Sequence, residues 1–174
     1  MRDHSNVFRP YESTSLGVTM SVTIEIPKEV YEILENEARR RGHEVLDIII
    51  SSVIEKLDPM VRVEIYLRLH EKYLKEAEEL YVQGNLLQAG EKYWGAVTSL
   101  LNAIGEVEGL PHYSHRELKE ISIHLSEKEG DPEYTRLFSS VETLQANFYH
   151  NFLKKKTFDF HREDAIRLIE KLKT

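Results

Sequence analysis

The sequence predicts a mainly α protein: an up-and-down helical bundle preceded by a strand–helix–helix unit. Three observations predict it. Apolar residues recur at helical spacing through four stretches of about 15 to 25 residues. Cap and break signals at Asp58-Pro59, Gly84-Asn85, Ser114 and Gly130-Asp131-Pro132 separate those stretches by short turns. Only one stretch alternates apolar and polar residues, Val18-Thr-Met-Ser-Val-Thr-Ile-Glu-Ile26.

In chain order, residues 1–17 are polar, carry Pro10 and Gly17, and read as an arm. Residues 18–57 form the second unit. The alternating stretch places Val22, Ile24 and Ile26 on one face, and Pro27 ends it and opens a helix. Glu29 to Arg41 put Val30, Ile33, Leu34 and Ala38 on one face, and Gly42 is a stop. Val45 to Leu57 is apolar on more than one side, so further protein must cover it.

Residues 58–174 form the bundle. Asp58 caps a helix with Pro59 at its first position, leaving no flexible linker. That helix, Pro59 to Gln83, stacks Val63, Tyr66, His70, Tyr73, Ala77, Leu80 and Tyr81. The next opens with Asn85 as cap and Gln88 three residues on. It lines up Leu86, Gly90, Tyr93, Val97, Leu100, Leu101 and Ile104. Ala89, Gly90, Gly95 and Ala96 are small, and each Gly costs roughly 1 kcal/mol of helix propensity, which another helix approaching closely would explain. Ser114 with Glu117 is a capping box for a helix running to Lys128. Pro132 to Leu153 and Arg162 to Lys173 are the last two helices.

Several classes are excluded by composition. There is no Cys, so no disulfide or thiolate metal site exists. The longest aliphatic run, Ile48-Ile49-Ile50, is far below the ~18 residues of a membrane span. Met1-Arg-Asp-His-Ser lacks a signal-peptide core, so a cytoplasmic protein is expected. The net charge of -7 opposes a broad electrostatic grip on nucleic acid. No Gly-rich phosphate loop or serine-nucleophile motif occurs, and neither cofactor nor metal is expected.

Lys72-Tyr-Leu-Lys-Glu-Ala-Glu-Glu-Leu80, Gly84-Asn85, Gln88-Ala-Gly-Glu-Lys-Tyr-Trp-Gly-Ala96, His112-Tyr-Ser-His115 and Ala146-Asn-Phe-Tyr-His-Asn-Phe152 together resemble the archaeal PaREP family, usually grouped with the HEPN helical bundles. The resemblance implies a HEPN-like bundle from a thermophilic archaeon. Some HEPN proteins are ribonuclease toxins with an Arg-x-x-x-x-His pair late in the bundle. His150 stands at the His position, and Gln145 at the Arg position. A neutral amide does not stabilise developing phosphorane charge as guanidinium does. Residues 18–57 resemble a ribbon–helix–helix unit, the dimeric fold of many small repressors. That resemblance makes Ser21, Thr23 and Glu25 the base-facing strand residues and puts Glu44 and Asp47 where a phosphate would sit. With five Lys/Arg against eight Asp/Glu in residues 18–57, dimerisation is the expected use of the unit rather than DNA binding.

The candidate site residues follow. His150, with Asn147 and Asn151, is the catalytic candidate, expected to be at least partly exposed beside Lys154, Lys155 and Lys156. The same three lysines, with Arg39, Arg40 and Arg41, are candidate phosphate contacts; both runs also suit the carbonyl end of a helix. His70 and Gln145 fall in apolar stripes and are expected to be buried, facing one another or a tyrosine hydroxyl. His112, His115 and His124 lack the spacing of a metal site. The leading function is a non-enzymatic dimeric interaction or regulatory protein, with a protein partner of toxin–antitoxin type. Two alternatives stay open: a toxin-like ribonuclease or nucleotide-binding partner using His150, and an antitoxin-like autorepressor using Thr23 and Arg39 to Arg41. The homodimer is expected to form through Met20 to Ile26 pairing with its copy, aided by Leu46, Ile49, Ile50, Val53 and Leu57, unless Asn6-Val-Phe-Arg9 supplies an internal second strand.

Overall fold

A computed structural model describes residues 23–41, 44–54 and 56–174. Among the described residues the fold is helical throughout. The elements are α1 (Lys28–Arg41), α2 (Val45–Ile54), α3 (Pro59–Val82), α4 (Leu86–Glu108), α5 (His115–Glu129), α6 (Glu133–His150) and α7 (Lys155–Leu172).

The expected caps set most of these boundaries. The Asp58 carboxylate accepts from the Met60 N–H at 2.9 Å, with Pro59 opening α3. The Asn85 side chain accepts from the Gln88 N–H. Ser114 and Glu117 form the reciprocal capping box of α5. Gly109 and Gly130, at φ 67° and 64°, end α4 and α5 in the left-handed conformation.

The helix α4 is the central element, packing against α3, α5, α6 and α7. Its residues are buried nearly all round, and Tyr93, Trp94, Val97, Leu100 and Leu101 lie in one core with Tyr73, Phe138, Val141, Leu144, Phe158 and Leu168. The small residues of α4 allow a close approach. A Cβ at Gly90 would stand 2.8 Å from the Leu144 carbonyl oxygen of α6. Three cross-links on the other side tie α3, α4 and α7. Arg162 donates to the Tyr93 hydroxyl at 2.6 Å, Tyr93 donates to Glu78 at 2.6 Å, and Arg162 pairs with Glu78 at 2.5 Å.

Several expectations need correction. The strand is not seen: residues 23–26 are irregular, Ile24 is 75 % exposed, and residues 18–22 lie outside the described residues, as do residues 1–17 with the candidate strand Asn6–Arg9. A strand needs a ladder partner, and the described residues contain none. Helix α2 stops at Ile54 rather than Leu57. Part of its apolar surface is covered within the chain, since Ile54 is fully buried and Leu46 and Ile50 pack on the core, whereas Val53 is 51 % exposed. Helix α6 stops at His150, because Asn151 turns left-handed at φ 48° and the Asn147 side chain captures the Leu153 N–H at 2.7 Å. Phe148 is only half-buried, although Val141 and Leu144 on the same helix are fully buried. Helix α7 begins at Lys155, seven residues before the expected Arg162. The helical recurrence of Phe158, Ala165, Ile169 and Leu172, all buried, is the signal that places its early turns.

Candidate functional site

The residues expected to act together late in α6 are separated by the fold. Gln145 is buried, 7 % exposed, whereas His150 is exposed. Five residues along a helix turn it by about 500°, which leaves these side chains about 140° apart. Asn147 is not exposed beside His150; it is 1 % exposed, and its amide oxygen is held by the Leu153 N–H. Asn151 supplies the left-handed end of α6, a conformation Asn tolerates, and donates its N–H to the Asn147 carbonyl at 2.8 Å. Both asparagines therefore have structural work.

The lysines sit at the opposite helix end from the one expected. Lys154 is the N-cap residue of α7, and Lys155 and Lys156 lie in its first turn, away from the carbonyl end that would favour them. Lys155 donates to Asp159 and to the Tyr81 hydroxyl, each at 2.8 Å. Arg39, Arg40 and Arg41 do close α1, where they pair with carboxylates of their own helix. Arg39 reaches Glu35, and Arg40 and Arg41 converge on Glu37. Hydrogen bonds from these two guanidinium groups hold the Glu37 carboxyl down at about 2.

His70 is buried as expected, but its partner is neither Gln145 nor a tyrosine. Its Nδ1–H donates to the Ala96 carbonyl at 2.9 Å. Burial lowers its pKa to about 4, so the ring is neutral near pH 7. Of the other histidines, His115 pairs with Glu142 at 2.8 Å and His124 with Glu108 at 2.7 Å, and the His112 Nε2 lies 3.1 Å from a Glu106 oxygen.

A different constellation gathers under α2. A cavity of about 360 Å³ opens between α2 and the α3–α4 pair, with Asp47, Tyr66, Asn102 and His112 among its lining residues. Asp47 fastens α2 in place. One carboxylate oxygen accepts from the Glu44 N–H at 3.0 Å, capping α2, and the other accepts from the Tyr73 hydroxyl at 3.2 Å. Burial pushes the Asp47 carboxyl above the usual range, opposed by these two hydrogen bonds. Glu44 adds a second fastening, accepting from Lys92 at 2.8 Å, and Lys92 also pairs with Glu76 at 3.0 Å. The two acids expected at a phosphate position, Glu44 and Asp47, are thus engaged with their own bundle.

On the far wall, His112 is locked from three sides. Its Nδ1–H donates to the Leu110 carbonyl at 2.8 Å, its ring meets Tyr66 edge-on at 5.8 Å, and its Cβ lies against Gly105. Glu106, between His112 and Arg62, has its second oxygen 3.3 Å from the Arg62 Nε. The Oδ1 of Asn102 is buried without a hydrogen-bond partner. Sequence reasoning missed Asn102. Its signal was available: an amide inside the apolar run Leu100-Leu101-Asn102-Ala103-Ile104.

A family model for the archaeal PaREP1/PaREP8 family matches residues 65–169, 105 of the 174 residues. The chain belongs to that family. No curated protein and no solved structure matches it. The PaREP1/PaREP8 segment runs from within α3 to within α7 and leaves α1 and α2 outside. The cavity lies at this junction: Tyr66, Asn102 and His112 come from the PaREP1/PaREP8 segment, and Asp47 from the residues before it. Among the described residues, no helix is long and apolar enough to cross a membrane.

Proposed function

We propose that this PaREP1/PaREP8 protein is a non-enzymatic, homodimeric interaction protein, a HEPN-like bundle with a dimerisation surface on α1 and the α2–α3 junction. The observation that carries the reading is where large apolar side chains remain in water. Ile24, Val30, Tyr31 and Ile33, then Val53, Leu57, Met60 and Val61, are 37–75 % exposed. Among the described residues, eight of the fifteen exposed large hydrophobic residues fall between residues 24 and 61. Covering a large apolar side chain is worth roughly 1.5–3 kcal/mol before entropy costs.

A second copy fits this surface by charge. Helix α1 carries Glu29 and Glu32 in its first half and Arg39 to Arg41 at its end. A two-fold axis across α1 would set the acidic half of one copy near the basic end of the other, whose arginines also pair with Glu35 and Glu37 of their own helix. The non-enzymatic part of the reading rests on Gln145, which is buried and lies on a different side of α6 from His150.

Light scattering of the purified chain tests the reading. The expected mass is twice the 20.4 kDa of one chain. Ile33→Glu is expected to give the monomer with unchanged helix content, because Ile33 is 68 % exposed and contributes little to its own core. A wild-type mass of one chain at micromolar concentration rules the dimer out.

A further inference from the structure

We propose that α2 is a lid on the bundle, pinned at Ile54 and latched at Glu44 and Asp47. The two ends of this short helix are held by different forces. Ile54, its last residue, is fully buried in the apolar core. That contact is non-directional, so α2 can tilt about it without losing it. Asp47, seven residues earlier and about 10 Å along the helix, accepts from the Tyr73 hydroxyl at 3.2 Å. Glu44 accepts from Lys92 at 2.8 Å. These contacts are directional and fail together once α2 tilts. Between pin and latch, the cavity of about 360 Å³ lies between Ile48 and Ile50 of α2 and Tyr66 and Leu69 of α3. Side chains facing a cavity have few neighbours to lose, so this part of the seam resists separation least.

Both sides of the latch keep a partner after release. Asp47 retains the Glu44 N–H, at 3.0 Å, and goes on capping α2. Lys92 retains Glu76 at 3.0 Å and its place over the Tyr73 ring, 5.1 Å from the centroid. The carboxylates of α2 pass into water and the ammonium stays paired, so opening strands no buried charge. The lid therefore has two discrete arrangements, each with its charges satisfied. Helix α1 packs chiefly on α2, and among its residues Ala38 alone is buried. It travels with the lid and does not tie it down. Opening uncovers the α3 wall at Tyr66 and Leu69, which are 5 % and 7 % exposed when the lid is shut.

The chain has no cysteine, so a single one placed at the seam reports opening through its rate of alkylation by iodoacetamide. Leu69→Cys stands on the α3 wall of the cavity, and Ala165→Cys, at a fully buried position of α7, reports opening of the bundle itself. Leu69→Cys is expected to react at least about tenfold faster than Ala165→Cys, because a lid opens more often than the whole chain unfolds. Glu44→Ala removes the lid's side of one latch and leaves Lys92 on Glu76. It is expected to raise the Leu69→Cys rate about threefold to tenfold and to leave the Ala165→Cys rate unchanged. Should Leu69→Cys fail to fold, Ile48→Cys on the α2 wall is the reporter, with the same expectations. Equal rates at the two cysteines would mean that the seam opens only when the whole chain unfolds, and overturn the lid. A seam rate unmoved by Glu44→Ala, or one that rises no more than the Ala165→Cys rate, overturns it too.

Discussion

The hydroxyl of Tyr73 donates to the carboxylate of Asp47 across 3.2 Å, joining the PaREP1/PaREP8 segment to the chain that precedes it. Tyr73 is fully buried in α3, and Asp47 simultaneously caps α2. Tyr73→Phe keeps the ring and removes only the donor. It is expected to cost about 0.5–1.5 kcal/mol. Hydrogen exchange should show faster exchange confined to α2, while α4 and α6 stay protected. Uniformly faster exchange would mean that the bond supports the whole bundle and not α2 alone.

Gly90→Ala is expected to destabilise, although Ala is the better helix former by about 1 kcal/mol. The new Cβ would stand 2.8 Å from a backbone oxygen of α6, Leu144 O, which has no flexible end to swing away. Separating α4 from α6 to relieve the contact should cost about 1–3 kcal/mol. A thermal melt of the variant checks this; a raised midpoint contradicts the packing.

His70 gives the stability a pH dependence of known sign. Its folded pKa is depressed to about 4 from the ordinary 6.5 by burial. The unfolded chain therefore binds the proton first as pH falls. The stabilising contribution is complete above pH 6.5 and is lost between there and about 4, up to roughly 3 kcal/mol at 1.36 kcal/mol per unit. His70→Gln keeps a donor for the Ala96 carbonyl and has no titration. Denaturant midpoints from pH 7 to pH 4 should fall less for this variant than for the parent chain.

Glu91 works in the opposite direction. Burial, with repulsion from Glu44, raises its carboxyl to about 7. The folded state holds this proton more tightly than the unfolded chain. The contribution is therefore complete below about 4.5 and lost as pH rises through 7. Glu91→Gln should stabilise the protein at pH 8 and have little effect at pH 4. A gain of equal size at both pH values would exclude titration as the cause.

Neither RNA cleavage nor tight DNA binding is expected. His150→Ala should leave stability within about 0.5 kcal/mol, as for an exposed surface position. Asn147→Ala should cost about 1–3 kcal/mol by stranding the Leu153 N–H. Ribonuclease activity abolished by His150→Ala would restore the enzymatic alternative. A sequence-dependent shift of duplex DNA much tighter than the ~10⁻⁶ M limit of non-specific binding would restore the repressor.

The sequence by itself determined the bundle. Caps such as Asp58, Asn85 and Ser114 act on their own first turns, and apolar spacing reports which face of a helix leaves water, so both are legible without partners. The buried stripe from Val63 to Ala77 and the PaREP-like blocks belong to this local information. Tertiary structure alone decided where the polar groups went. The α6–α7 junction turned on Asn147 reaching Leu153, six residues away, so Lys154 to Lys156 begin a helix instead of ending one. Asp47 is read locally as an acid at a helix start; its meaning changed when folding brought Tyr73, 26 residues on, within hydrogen-bond reach. Asn102 stands out in the sequence as an amide in an apolar run, but the cavity it lines with His112 has no sequence signature. A cavity is volume left unfilled between α2, α3 and α4, and spacing along one helix carries no information about the distance to another.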